Sequence, residues 1–549
     1  MSSIQKLTNS QMSKHNNKFS DFRAIIESNF YGNNVHQVNS VEEAYNLAVK
    51  TSGTIITDIP VFNYEALDLP KNSKVLVNNN GSVVGRTSAA RKIIGQPNVD
   101  NKELAKILRE AMYLGGLKKY YSSEVIVGLD ESFMLKAHIM LPKNFESTLY
   151  SYMLNFQFLN KDFQNRYTNS NKFSENELYI YGDPEWTHPD YPFGLVIFDP
   201  QHNVAAILGL RYFGEFKKAT LTLAWGVAHR NGFISCHGGM KQYRFKDSAY
   251  TMAAFGLSGS GKSTITLANH NDKYDMVVLH DDAFVISKEN GMTTALEPSY
   301  FDKTQDYPMG SEAIKYYLTC QNVGVTLDEF GNKILVTEDI RNGNGRTVKS
   351  RFSTPNRVDH LKEKIDAVYW IMKDESLPPM IKINDPVLAA VFGATLATKR
   401  SSAENIVVDD DANDLVIEPF ANPFRSYPLK EDYSDFINLF ISQKTDCYIL
   451  NTGYFNGKKV TPLDTLTSIE KVVEGQAAFR PFGTIESISY LPFEGHLPDF
   501  DDPIYANKLK QSMKNRLAFI LKMNVENNGY NALPVEAEQK MREIISKLN

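Results

Sequence analysis

Cysteine is scarce in this 549-residue chain: Cys236, Cys320 and Cys447 are widely separated and odd in number. That argues against a disulfide framework and predicts a reducing compartment, the cytoplasm. No apolar run approaches the roughly 20 residues that span a bilayer. The opening "MSSIQKLTNSQMSKHNN" has no apolar core of the kind a secretory signal needs, and its polar, Asn-rich composition predicts a frayed end. Neither charge sign dominates. A formal net charge of −5 gives no electrostatic support for binding nucleic acid or an anionic membrane. Internal repeats are also missing.

What remains is an ordinary globular composition, 42% hydrophobic and 22% charged. A chain this long exceeds the size at which single cores stop growing, so two domains are expected, 1–230 and 231–549. In the first, helical stretches alternate with "EVIVGL", "LYIYG", "FGLVIF" and "NVAAILGL", an α/β pattern. In the second, "TMAAFGL", "DMVVLHDD", "AVYWIM" and "DCYILNTG" are apolar throughout, as in strands covered on both faces. "NVGVTLDEFGNKILV" predicts a hairpin turning near Gly331-Asn332. "LPVEAEQKMREIISKL" predicts a C-terminal amphipathic helix with Pro534 near its start. The acidic 407–415 stretch reads as a solvated loop.

"AAFGLSGSGKST" (253–264) carries the first chemical signal. Gly256-Leu257-Ser258-Gly259-Ser260-Gly261-Lys262-Ser263, followed by Thr264, satisfies G-x-x-x-x-G-K-[ST] between an apolar strand and a helix-compatible segment. Glycines let successive N–H groups turn inward around phosphate oxygens, and a helix N-terminus adds a favourable partial charge. Lys262 is suited to the β/γ-phosphates and the Ser263 hydroxyl to Mg²⁺. A second strand ends in His280, Asp281 and Asp282, where enzymes with such loops hold metal ions. This is a nucleotide site.

Other stretches narrow the use of the nucleotide. "RYFGEFKKATL" groups Tyr212, Glu215, Lys217 and Lys218 in an apolar region, and "FISCHGG" puts His237 at a strand end. In these residues the chain resembles the ATP-dependent phosphoenolpyruvate carboxykinase family. That family's Y-x-G-E-x-K-K matches Tyr212 through Lys218, and its metal-binding histidine, 19 residues on, matches His237. Its G-R-S matches Gly85-Arg86-Thr87, and its E-G-G-x-Y-x-K matches Glu297 through Lys303 at both ends. Its N-T-R-x-S-Y-P matches the segment around Arg351, and its V-N-T-G-W-N-G…D-T resembles "LNTGYFNGKKVTPLDT". The chain departs from the pattern at several points. Ser88-Ala89-Ala90-Arg91 replaces P-K-D-K, Pro298-Ser299 replaces the two glycines, and Gly238-Gly239-Met240-Lys241 replaces C-S-A-N. Gln321 stands for a glutamate near the nucleotide, and Lys459 for an adenine-side arginine.

The resemblance implies a two-domain carboxykinase-like α/β fold: an N-terminal α/β domain, a P-loop-containing mixed-sheet nucleotide-binding domain, and an active site in the cleft between them. It implies the reaction oxaloacetate + ATP ⇌ phosphoenolpyruvate + CO₂ + ADP, with Mn²⁺ and Mg²⁺. Lys218, His237 and Asp282 match the Mn²⁺ ligands, and Asp281 and Ser263 complete the metal-side set. Arg86 and Tyr212 would hold the substrate carboxylate, and Lys217 belongs to the same catalytic group. Arg351 would bridge substrate and γ-phosphate, Lys262 and Lys303 would flank the phosphates, and Gln321, Lys459, Val460 and Thr465 match nucleotide-side positions. The partners implied are small molecules, with the chain a monomer or small homo-oligomer. A different P-loop kinase also accounts for the loop and the aspartates, but leaves Arg86, Tyr212, Lys218 and His237 without a task. A nucleotide-binding relative without turnover, a sensor or scaffold, is the other reading.

Overall fold

The apolar runs become buried strands. The computed structural model describes residues 20–79, 90–257, 259–338, 340, 344–399 and 415–548. The N-terminal segment, Gly85-Arg86-Thr87, Ser258 and the acidic 407–414 stretch lie outside the described residues. The described chain forms two compact units, one from residues up to Asn231 joined by Leu296–Pro355, the other from Gly232–Ala295 and the chain after Pro355.

The first unit contains an eight-stranded mixed sheet in which Phe133–Pro142, Glu177–Asp183 and Val204–Leu208 run parallel. The 18-residue helix Phe213–Arg230 packs on these strands and is buried along most of its length. A second, five-stranded sheet has the order Tyr300–Lys303, Arg346–Lys349, Tyr317–Gln321, Lys74–Asn78, Thr54–Pro60. Its first three strands come from 296–355 and join the N-terminal ones through parallel pairing of Thr319 with Leu76. The expected hairpin is present as Gly324–Leu327 against Lys333–Val336. Asp328 closes its turn by accepting from the Phe330 and Asn332 backbones, and Gly331 takes φ 82°.

The second unit is built on an eight-stranded sheet. The strand before the phosphate loop, Ala249–Phe255, lies between Gly239–Arg244, antiparallel, and Ala367–Met372, parallel. Asp446–Asn451 continues the parallel run. All six residues of Ala367–Met372 are buried, which is why "AVYWIM" has no polar alternation. A four-stranded antiparallel sheet, Phe233–His237, Ala283–Ser287, Thr293–Ala295 and His360–Leu361, completes the unit. The chain passes between these two sheets three times, the last time from His360–Leu361 to Ala367–Met372. It leaves the small one after His237 and enters the large one at Gly239, then leaves the large one after His280 and re-enters the small one at Ala283. These first two crossings lie side by side, joined by the Gly238 N–H donating to the Asp282 carbonyl at 3.0 Å. The C-terminal helix, Val535–Lys547, follows Pro534 as expected. No helix among the described residues is long and apolar enough to cross a membrane.

Candidate active site

The paired crossings gather the second unit's charged residues. Register sets His237 opposite Ala283, so Asp282, one residue earlier, faces the imidazole. His237 Nε2 lies 3.0 Å from Asp282 Oδ1, and Lys262 Nζ lies 3.4 Å from the same oxygen. The other ring nitrogen, Nδ1, is held by the Ala421 carbonyl. A carbonyl only accepts, so Nδ1 carries a proton, and Nε2 is the ring nitrogen turned toward the carboxylate. A ring nitrogen and a carboxylate oxygen 3.0 Å apart are spaced as adjacent ligands of one cation would be. Nitrogen and oxygen donors of this kind suit Mn²⁺. Asp281 is buried beside them, and His280 Nδ1 accepts from the Asp282 N–H at 3.0 Å, fixing the turn that presents both carboxylates. Among the described residues no three His, Cys, Asp or Glu side chains group as a metal site, and the third donor implied by the resemblance is a lysine.

The phosphate loop has the expected local form. Gly259 and Gly261 take φ of 81° and 95°, conformations costly for other residues, and the helix Lys262–Leu267 starts directly after. Lys373 Nζ donates to the Gly259 carbonyl at 2.8 Å and the Thr452 hydroxyl to the Ser260 carbonyl at 2.7 Å, fixing the peptide planes of the loop. The Ser260 hydroxyl is buried and makes no hydrogen bond among the described residues. It packs over Gly256, where a Cβ would approach it to 2.3 Å. Ser263 and Thr264 face solvent.

Thr452 belongs to "LNTGYFNG", and through it the loop adjoins the expected adenine-side residues. The Val460 N–H donates to the Gly453 carbonyl at 2.9 Å, and Lys459 pairs with Tyr454 in a short hairpin. Lys459 is exposed, and Val460 and Thr465 are buried. The Thr465 hydroxyl donates to the Thr461 carbonyl within the helix Pro462–Val473.

In the first unit, Tyr212 caps the helix Phe213–Arg230, folding its ring over Gly214, where a Cβ would approach Tyr212 Cε1 to 2.3 Å. That contact explains the spacing Tyr-x-Gly. Tyr212 Oη accepts from Arg346 Nε at 3.0 Å. One row across the five-stranded sheet pairs Lys303 with Arg346, Arg346 with Gln321, and Gln321 with Asn78. Lys303, Arg346, Gln321 and Tyr212 are therefore brought together. The Gln321 amide is committed to backbone, accepting from the Phe213 N–H at 3.0 Å and donating to the Arg211 carbonyl at 3.3 Å. A carboxylate could not make the second bond. Lys217, 1% exposed, pairs with the fully buried Glu297 at 2.9 Å, and Asn155 Nδ2 donates to the other Glu297 oxygen at 2.7 Å. Lys218 and Arg351 are half-buried, Lys218 one position further along the helix and Arg351 opening a turn capped by Ser350. Neither Pro298 nor Ser299 takes a positive φ, so the missing glycines cause no strain, and the Ser299 hydroxyl donates to the Leu154 carbonyl at 2.7 Å.

Arg346, Lys373 and Thr452 were not singled out by sequence reasoning. The partners of Arg346 and Thr452 lie 134 and 192 residues away, and no local spacing marks them. Thr452 alone had a signal, inside the N-T-G segment.

The sequence profile of the phosphoenolpyruvate carboxykinase family, ATP type, matches residues 76–482. The phosphoenolpyruvate carboxykinase (ATP) of Aeropyrum pernix is 24% identical over 287 residues, covering 50% of this chain and 57% of the relative. That of Dictyostelium discoideum is 24% identical over 210 residues, 35% of this chain and 36% of the relative. The chain thus spans about half the length of the first relative and about a third of the second. It belongs to the ATP-type phosphoenolpyruvate carboxykinase family and is a divergent member.

Proposed function

We propose that this family member converts oxaloacetate and ATP to phosphoenolpyruvate, CO₂ and ADP in the cytoplasm, the substrate-side residues coming from 1–230 and the nucleotide site from 231–549. The observation that carries the reading is the convergence of the phosphate-loop lysine and an imidazole on one aspartate oxygen, Lys262 and His237 on Asp282.

Losing CO₂ from a β-keto acid leaves an enolate, and moving a phosphoryl group spreads negative charge over its oxygens, so both steps call for fixed positive charge. Bound by His237, Asp282 and Lys218, with Asp281 beside them, Mn²⁺ would supply such charge at the substrate carbonyl, as Mg²⁺ at Ser263 would beside the phosphates. Arg86 clamps a substrate carboxylate through paired N–H donors. Tyr212, whose oxygen is held by Arg346, keeps its own proton to donate to that carboxylate. Lys217 holds its ammonium beside Glu297, and Lys262, Lys303 and Arg351 neutralise the phosphate oxygens. Gln321 supports the turn that presents Tyr212, and Lys459, Val460 and Thr465 line the adenine side. Support for turnover, as against a sensor without it, comes from Pro298 and Ser299, which are accommodated without strain.

The test is CO₂ release from oxaloacetate by the full chain with Mn²⁺ and Mg²⁺, with ATP or GTP. Turnover with ATP is expected. Well-folded protein that turns over with neither nucleotide overturns the proposal.

A further inference from the structure

Resting on the nucleotide reading above, we propose that Lys241 is a positioning residue for the phosphate-loop helix, and that His270 and Glu470 extend its hold to the helix carrying Thr465.

Alternation along a strand puts residues 239, 241 and 243 on one face of Gly239–Arg244. That face lies under the helix Lys262–Leu267. A Cβ at Gly239 would come within 2.0 Å of Thr266 Oγ1, so the missing side chain is what lets the helix settle on the strand. Two residues on, Lys241 is 1% exposed and its Nζ donates to the Ile265 carbonyl at 2.7 Å and the Ala268 carbonyl at 3.4 Å. The last carbonyls of a helix have no partners within it, and a cation there also meets the negative end of the helix dipole. The third ammonium proton goes to His270 Nε2 at 3.0 Å, which accepts from the Tyr243 hydroxyl as well at 2.9 Å. His270 Nδ1 meets Glu470 Oε1 at 2.8 Å. A carboxylate accepts, so Nδ1 bears the proton and Nε2 is the acceptor that Lys241 and Tyr243 require. Lys241 and Tyr243 share the one Nε2 lone pair, and the remaining bonds of the chain each have one donor and one acceptor.

Glu470 lies on Pro462–Val473, whose start carries Thr465 and follows Lys459 and Val460. The connection therefore runs from the end of the phosphate-loop helix to the helix on the adenine side. Burial pushes the Lys241 ammonium down to about 7, opposed by Glu470. Burial and then Lys241 lower His270, which favours the neutral imidazole the hydrogen bonds demand. None of these residues faces the phosphate directly. Lys241 acts through the backbone that aims Lys262 and Ser263.

Lys241→Met keeps the apolar stem and removes the donors. ATP binding to the full chain by calorimetry should weaken by about tenfold, the scale of one charge-assisted hydrogen bond. In turnover, KM for ATP should rise while KM for oxaloacetate stays unchanged, a split that general loosening of the fold does not produce. Glu470→Leu, which removes the acceptor at the half-buried end of the connection, should weaken ATP binding less, and combining it with Lys241→Met should add nothing further. Wild type that binds no ATP overturns both this inference and the nucleotide reading. Wild type that binds ATP, with a folded Lys241→Met binding it equally well, overturns this inference alone. If Lys241→Met does not fold, Glu470→Leu decides: unchanged ATP affinity overturns the inference, and a loss supports it.

Discussion

Asp282 is the residue on which two tasks meet. Its Oδ1 is approached by His237 at 3.0 Å and by Lys262 at 3.4 Å, so on the proposed function one carboxylate would serve the cation side and the phosphate side at once. Substitutions on either side should then differ in kind. Lys262→Ala removes a fixed cation from the transferring phosphate, so turnover should fall at least 100-fold, about 3 kcal/mol of transition-state stabilisation. Mn²⁺ affinity should be retained or rise, because a competing positive charge has left Asp282. His237→Ala should weaken Mn²⁺ binding and turnover together. Calorimetric titration of Mn²⁺ alongside kcat distinguishes the two, and equal Mn²⁺ affinities in both variants would count against the shared-carboxylate reading.

Elements differ in how far the sequence alone discloses them. The phosphate-loop strand and helix, the strand ending at Asp281-Asp282 and the strand ending at His237 are all legible, because each is set by local periodicity and turn chemistry. The exchange of strands between two sheets at Gly238 and at Asp281-Asp282 is not, since it depends on pairings between segments with no local marker. The same holds for the row Lys303–Arg346–Gln321, where long-range register supplies the neighbours. The helix Pro503–Val525 gives a further case. Its one buried arginine, Arg516, reaches Asp374 at 3.0 Å, just beyond the strand Ala367–Met372. Burial raises the Asp374 carboxyl, but Arg516 and the Ser512 and Ser376 hydroxyls outweigh it and hold it below the ordinary range. Its contribution is therefore present at neutral pH and lost as acid titrates it. Arg516→Met strands a buried carboxylate and should cost about 3–5 kcal/mol, read from the urea midpoint. Adding Asp374→Leu should recover much of that loss, and failure to recover it would show that the helix is held mainly by its apolar contacts.

At the scale of the molecule, the segment Leu296–Pro355 belongs to the first unit although chain of the second unit lies on both sides of it. A fragment ending at residue 231 lacks three of the five strands in the sheet that contains Lys74–Asn78. It leaves that apolar strand as an open edge, and such edges aggregate. The fragment should be insoluble or molten by near-ultraviolet circular dichroism, whereas one carried through residue 355 should recover native-like signal from the first unit. A well-packed, soluble 1–231 fragment would contradict this. The same arrangement bears on synthesis at the ribosome. Chains are generally expected to fold from the N-terminus as each domain emerges. Here the first unit stays incomplete until residue 355 has left the exit tunnel, by which time Gly232–Ala295 is already outside and unable to finish its own sheets without Ala367–Met372 and Asp446–Asn451. Two half-built sheets with unpaired edges then coexist on every nascent chain, which makes translation speed across 232–355 a determinant of yield.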